Sequence, residues 1–171
     1  MFLRQAFSIV LFILVTGCVS NEKYSTEEYE TNLAQVSRET LVKVVWEAKI
    51  NEVYANSTDE FRETVNLPRL YNSLERVYTS YPQDRIAIAG YETYENNEVA
   101  VVYGKSESDL KQLHYRMVFT KQDLPEFKLT KLSISEVEYP RSEQYIAFNS
   151  PVYVEYSTDH SANSQSVNPG L

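Results

Sequence analysis

The stretch "LHYRMVFTKQDLPEFKLTKLSIS", residues 113–135, decides the fold. Its first part alternates: Leu113, Tyr115, Met117 and Phe119 point one way, His114, Arg116 and Thr120 the other. A period of two with β-branched and aromatic residues predicts a strand with one buried face. A loop at residues 123–126 then leads into "FKLTKLSISEVEY". There Phe127 and Leu129 share one parity, whereas Leu132 and Ile134 share the opposite one. One extra residue near Thr130 or Lys131 would return all four to a common face, so a β-bulge is predicted there. A bulge bends a sheet, and a bent sheet needs a layer of helices to fill its concave side.

Working back towards the N-terminus, "RIAIAGYETY" and "VAVVYG" predict two further strands. "ENNE" joins them, with Asn96 and Asn97 central to a hairpin turn. The segment before them has helical spacing. Ser25 and Glu28 form a capping box, and one helix is predicted from there to about Tyr54. Its helical stripe runs through Val42, Val45, Trp46, Lys49 and Val53, widened by Leu41, Val44 and Ala48. Ser57 and Glu60 predict a second box, opening a short helix with Phe61 and Val65. A third helix begins near Leu67, with Pro68 tolerated in its first turn and Pro82 closing it. The expected class is α+β, with N-terminal helices packed on a curved four-stranded antiparallel sheet. Residues 140–156 are expected to add an edge segment. Residues 157–171, rich in Ser and Asn, are expected to be a disordered tail.

The order of three helices and four meandering strands resembles the cone-shaped nuclear-transport-factor-2-like (cystatin-like) α+β superfamily. The likeness rests on the long helix around Trp46, on "FRETV", and on the hairpin "HYRMVFTKQDLPEFKLTKLSIS", and covers about residues 35–138. The turn "QDLPE" departs from the superfamily's usual Gly/Asp turn. Catalytic members of the superfamily place His, Asp or Tyr in the cavity between helix and sheet. This likeness implies a fold and carries little functional weight.

The first residues read differently. "MFLRQAFSIVLFILVTGC" has an early Arg4, a short apolar run and small residues before Cys18, the pattern of a secretory signal peptide. The run falls short of the ~20 residues that cross a bilayer. Val15-Thr16-Gly17-Cys18 resembles the lipobox of bacterial lipoproteins. In that family the chain is cut between the positions of Gly17 and Cys18, and the cysteine carries acyl chains. The expected organisation is a signal peptide at 1–17, a lipidated tether at 18–25 and an α+β domain at 26–139. Several acyl chains on one residue would hold the protein at a membrane. Asp after the cysteine favours inner-membrane retention in that family. Val19 stands there instead, so the periplasmic face of the outer membrane is the expected location. Cys18 is the chain's one cysteine, so acylation would leave no thiol for a disulfide, a metal or nucleophilic chemistry.

Net charge is −8, which repels nucleic acid and anionic lipid headgroups. Residues 19–66 carry ten acidic against five basic side chains, while residues 105–131 carry four acidic against six basic. No cofactor or metal is expected: the two histidines, His114 and His160, lack ligand spacing, and with four glycines no phosphate-binding glycine loop is present. Asp84, Asp109 and Asp123 fall at predicted turns, so no catalytic carboxylate is identified in the expected cavity.

The fourteen tyrosines stand out. Tyr54, Tyr78, Tyr91, Tyr103 and Tyr115, with Trp46, Phe61 and Phe119, are candidates to line a small apolar ligand pocket or a protein interface. The competing reading is that the same rings fill the core. Two functions stand at this point. One is a non-catalytic binding or assembly module of the cell envelope, with a protein partner or small ligand. The other is a small cavity-type isomerase, dehydratase or hydrolase.

Overall fold

The computed structural model describes residues 25–80, 85–108, 111–122 and 126–155. The signal segment, Gly17, Cys18, the tether before Ser25 and the tail 157–171 lie outside them, as do Asp84, Asp109, Asp123 and His160.

Helix α1 (Thr26–Leu41) starts where Ser25 accepts a hydrogen bond from the Glu28 N–H at 3.2 Å. Acidic Glu27 and Glu28 lie in the first turn, where the helix dipole favours negative charge. The single long helix expected to reach Tyr54 is broken. A π-helical turn (Val42–Trp46) follows α1, and Ala48 takes a left-handed φ of 52° before α2 (Ile50–Ala55) restarts. The apolar stripe continues through the break: Val44, Val45 and Ile50 are all buried. The second cap also differs from expectation. Thr58, one residue beyond Ser57, accepts from the Phe61 N–H and opens α3 (Asp59–Thr64). The Ser57 hydroxyl instead donates to the Tyr54 carbonyl at 2.6 Å. Helix α4 (Leu67–Ser80) is started by Asn66, whose side chain accepts from the Arg69 N–H.

The sheet has five strands rather than four: β1 (Arg85–Tyr94), β2 (Val99–Glu107), β3 (His114–Lys121), β4 (Phe127–Ser135) and β5 (Ile146–Glu155). All pairs are antiparallel, and the spatial order is β4-β3-β2-β1-β5. The sheet is open, with β4 and β5 at its edges. The β1–β2 turn holds Asn96 and Asn97 at φ of 57° and 71°, a region that Asn tolerates better than most residues.

The bulge in β4 falls at Thr130: Val118 pairs with Lys131 and Phe119 with Leu129. A second bulge, in β1, lies between Ile88 and Gly90. Ile86 and Ile88 therefore share their face with Tyr91. That face packs against the helices and carries Val102, Tyr115, Met117, Phe119 and Val154, all 2 % exposed or less. The exposed edge of β4 is partly covered: the Thr58 N–H donates to the Leu129 carbonyl at 3.0 Å. Pro151 sits in β5, an edge strand, where a missing N–H is tolerated.

Candidate functional site

The expected aromatic cavity was placed between helices and sheet, and that space is filled by rings. Tyr29 meets Phe127 edge-on at 5.2 Å, Tyr91 lies 6.1 Å from Tyr29, and Phe148 lies 5.2 Å from Tyr91. Of the eight candidate aromatics, Phe61, Tyr91, Tyr115 and Phe119 are buried in this core. Trp46 and Tyr54 pack half-buried against it, with the Tyr54 hydroxyl donating to the Arg62 carbonyl at 2.8 Å. Tyr78 lies in α4, and its side chain is outside the described residues. Tyr103 stands apart, on the opposite face of the sheet.

Two phenols that reach this interior are held. Tyr91 donates to the Glu30 carboxylate at 2.9 Å and Tyr29 to the Asn97 carbonyl at 3.3 Å. Burial, reinforced by the charge of Glu98, pushes the Tyr29 phenol up to about 12. Burial also raises the Tyr91 phenol, as does its bond to Glu30. Both rings keep their protons through neutral pH and supply no base there.

The opposite face is built by topology. Because β4 and β5 lie at opposite edges, residues 136–145 must cross three strands to connect them, about 19 Å at ordinary strand spacing. This strap runs over the outer face and is fixed there chiefly by Glu92. The β1 bulge turns Glu92 outwards, opposite Val101, and the strap leaves it 2 % exposed. One carboxylate oxygen accepts from the Ser142 N–H at 2.6 Å, the other from the Tyr94 hydroxyl at 2.5 Å. Burial pushes this carboxyl up, but bonds from Tyr94, the Ser142 N–H and Tyr103 outweigh it and hold the group below its ordinary value.

Beside Glu92, the Tyr145 ring presses onto Gly90. A Cβ at Gly90 would stand 2.3 Å from the Ile146 carbonyl oxygen and 2.6 Å from the Tyr145 hydroxyl. Any side chain at this position would have to displace the strap. Tyr145 meets Tyr103 at 5.9 Å, and the Arg141 guanidinium lies 4.5 Å over the Tyr145 ring. Arg141 also pairs with Glu138 at 2.9 Å.

A small cleft of ≈ 20 Å³ opens next to this clamp, lined by Tyr103, Lys105, His114, Glu138, Tyr139 and Arg141. Register explains the grouping, since direct cross-strand partners share a face. Ala87, Lys105 and His114 form one row, and Gly90, Tyr103 and Arg116 the next. His114 is thus an outer-face residue. Among the described residues, no three His, Cys, Asp or Glu side chains converge as metal ligands.

Sequence reasoning missed Glu92, because a carboxylate was sought on the inward side of the sheet and Glu92 faces outwards. The parity change from Ile88 to Tyr91 is the signal that places Glu92 outwards. No local signal marks Gly90, Arg141 or Tyr145, which meet only through the long connection. No protein-family model, curated protein or solved structure matches the chain.

Proposed function

We propose that the chain is a non-catalytic binding or assembly module of a bacterial envelope, with the outer face of its sheet as the recognition surface. The packed interior carries this reading. Phe61, Tyr91, Tyr115 and Phe119, which would line a ligand cavity, are at most 2 % exposed. The outer side instead displays aromatic and cationic groups together. Tyr153 is 45 % exposed with the Arg85 guanidinium 4.1 Å over its ring, and Val137 on the strap is 73 % exposed. Stacked Arg–Tyr pairs are favoured at protein contacts.

Anchoring is part of the proposal. The lipobox-like Val15-Thr16-Gly17-Cys18 supports acylation of Cys18 at the periplasmic face, with Val19 favouring the outer membrane. No described helix is long and apolar enough to cross a bilayer, and acyl chains would supply the attachment. A cone of the nuclear-transport-factor-2-like kind is supported by helices covering one face of a bulged antiparallel sheet. The fifth strand and the strap are departures from the four-strand pattern. The enzyme alternative needs an interior acid–base pair, and the buried carboxylate Glu92 lies on the other side of the sheet.

Cys18→Ser is expected to abolish palmitate labelling and membrane fractionation; persistence of both would overturn the anchor. For the recognition surface, a photo-crosslinking amino acid is placed in intact cells at Val137 or Tyr153, and at Glu63 on the helical side. Crosslinks confined to the first two positions are expected. Equal or stronger crosslinking from Glu63 would overturn the assignment of the outer face.

A further inference from the structure

We propose that an open groove between α1 and the start of β4 binds a neutral saccharide. The groove lies apart from the outer face and does not rest on the role given to it. Three observations carry the proposal.

The first is the composition of the lining. The groove measures ≈ 470 Å³, within the ~300–1,000 Å³ of small-molecule sites. Asn32, Gln35 and Glu39 line it from one face of α1, at spacings of three and seven residues, and Asn56 at the end of α2 joins them. Each carboxamide offers two donors and two acceptor lone pairs. A hydroxyl group donates and accepts at once, so a polyol can use both ends of such an amide. Val36 and the Phe127 ring are the apolar part of the lining, and the ring is fixed edge-on to Tyr29 at 5.2 Å. A pyranose presents the matching surfaces, hydroxyls at its rim and C–H bonds on its faces.

The second is that the amides are uncommitted. Among the described residues, no hydrogen bond engages the side chain of Asn32 or Asn56, although Asn32 is half-buried. The Gln35 amide donates to Glu39 at 3.0 Å, which orders that carboxylate as a further acceptor for hydroxyl groups.

The third is what the groove disfavours. Glu39 and Glu126 outnumber Lys128 in it, and the chain carries a net charge of −8, so anions are repelled. An extended peptide would gain by pairing with the β4 edge. There the Leu129 carbonyl already accepts from the Thr58 N–H at 3.0 Å. A saccharide needs no strand edge.

The full-length protein, in a polyoxyethylene detergent that carries no sugar, is titrated with cellobiose, putrescine or tetra-alanine blocked at both ends. Amide NMR shifts are followed at constant ionic strength. Cellobiose is expected to give saturable shifts confined to residues 32–39, 56–58 and 126–128. Asn32→Ala should raise its half-saturating concentration about fivefold, the loss of roughly one neutral hydrogen bond. Alanine is the better helix former, so α1 keeps its fold in that variant. Asn72→Ala, on α4, should match the parent. Cellobiose shifts that stay linear with concentration, or an Asn32→Ala protein that binds as the parent does, would overturn the site. Tighter saturation by putrescine or by the peptide would overturn the saccharide class.

Discussion

The two faces of the sheet are held by different physics. The inner face is a dry surface of Ile86, Ile88, Tyr91, Val102, Tyr115, Met117 and Phe119 against helices, and its stability depends on filled volume. The outer face beneath the strap is held by a few directional contacts: two hydrogen bonds into Glu92 and the seat of Tyr145 on Gly90. One face tolerates no holes, and the other tolerates no lost acceptor. A single bulge between Ile88 and Gly90 creates the contrast, since it sends Tyr91 inwards and Glu92 outwards.

Substitutions on each side should separate the two. Phe119→Ala should cost the most, about 3–5 kcal/mol by urea denaturation, because a fully buried ring leaves a cavity. Its cost should be the same at pH 4 and pH 7; a marked difference would mean that the inner face is electrostatically coupled. Gly90→Ala should cost about 3 kcal/mol, since the Ile146 carbonyl must move. Hydrogen exchange in that variant should accelerate in residues 136–155 before it does in β3. Uniform acceleration would show that strap and core open as one unit.

Glu92→Gln should cost about 2 kcal/mol at pH 7, through loss of charged, buried acceptor bonds. The sign of its pH dependence follows from the lowered folded-state pKa. Stability from Glu92 is fully present above the ordinary value of 4.5 and declines as pH falls below it, through the depressed folded value. The gap between parent and variant should therefore narrow below pH 4.5, and a constant gap would remove Glu92 as the latch. The smallest effect is expected at Ala48. Its φ of 52° strains an L side chain, so Ala48→Gly should stabilise by up to about 1 kcal/mol despite the added chain entropy. Destabilisation would mean that the methyl group packs usefully.

Legibility in the sequence followed the range of the interactions. The Thr130 bulge was readable because Leu129 and Leu132 both had to reach one core. The β1 bulge carried the same sign in Ile88 and Tyr91 and passed unread, and Glu92 was missed with it. The break after Trp46 was hidden by a continuous apolar stripe, for neither a π-turn nor a left-handed Ala48 is marked by Gly or Pro. Phe61, Tyr91, Tyr115 and Phe119 were visible as aromatics, but core and pocket use the same rings. The strap could not be read, because its position depends on where β5 docks.

That docking has a consequence for biogenesis. Among the described residues the last strand lies beside the first, so β1 keeps one edge bare until residues 146–155 arrive. During N-to-C synthesis, the β1–β2 hairpin must wait with Ile86 and Ile88 in a sticky, half-paired strand. A chain truncated before Ile146 loses only a small part of its length, yet it would carry that edge permanently. Ribosome-proximal stalling near the C-terminus should thus yield aggregates rather than a slightly shorter folded domain.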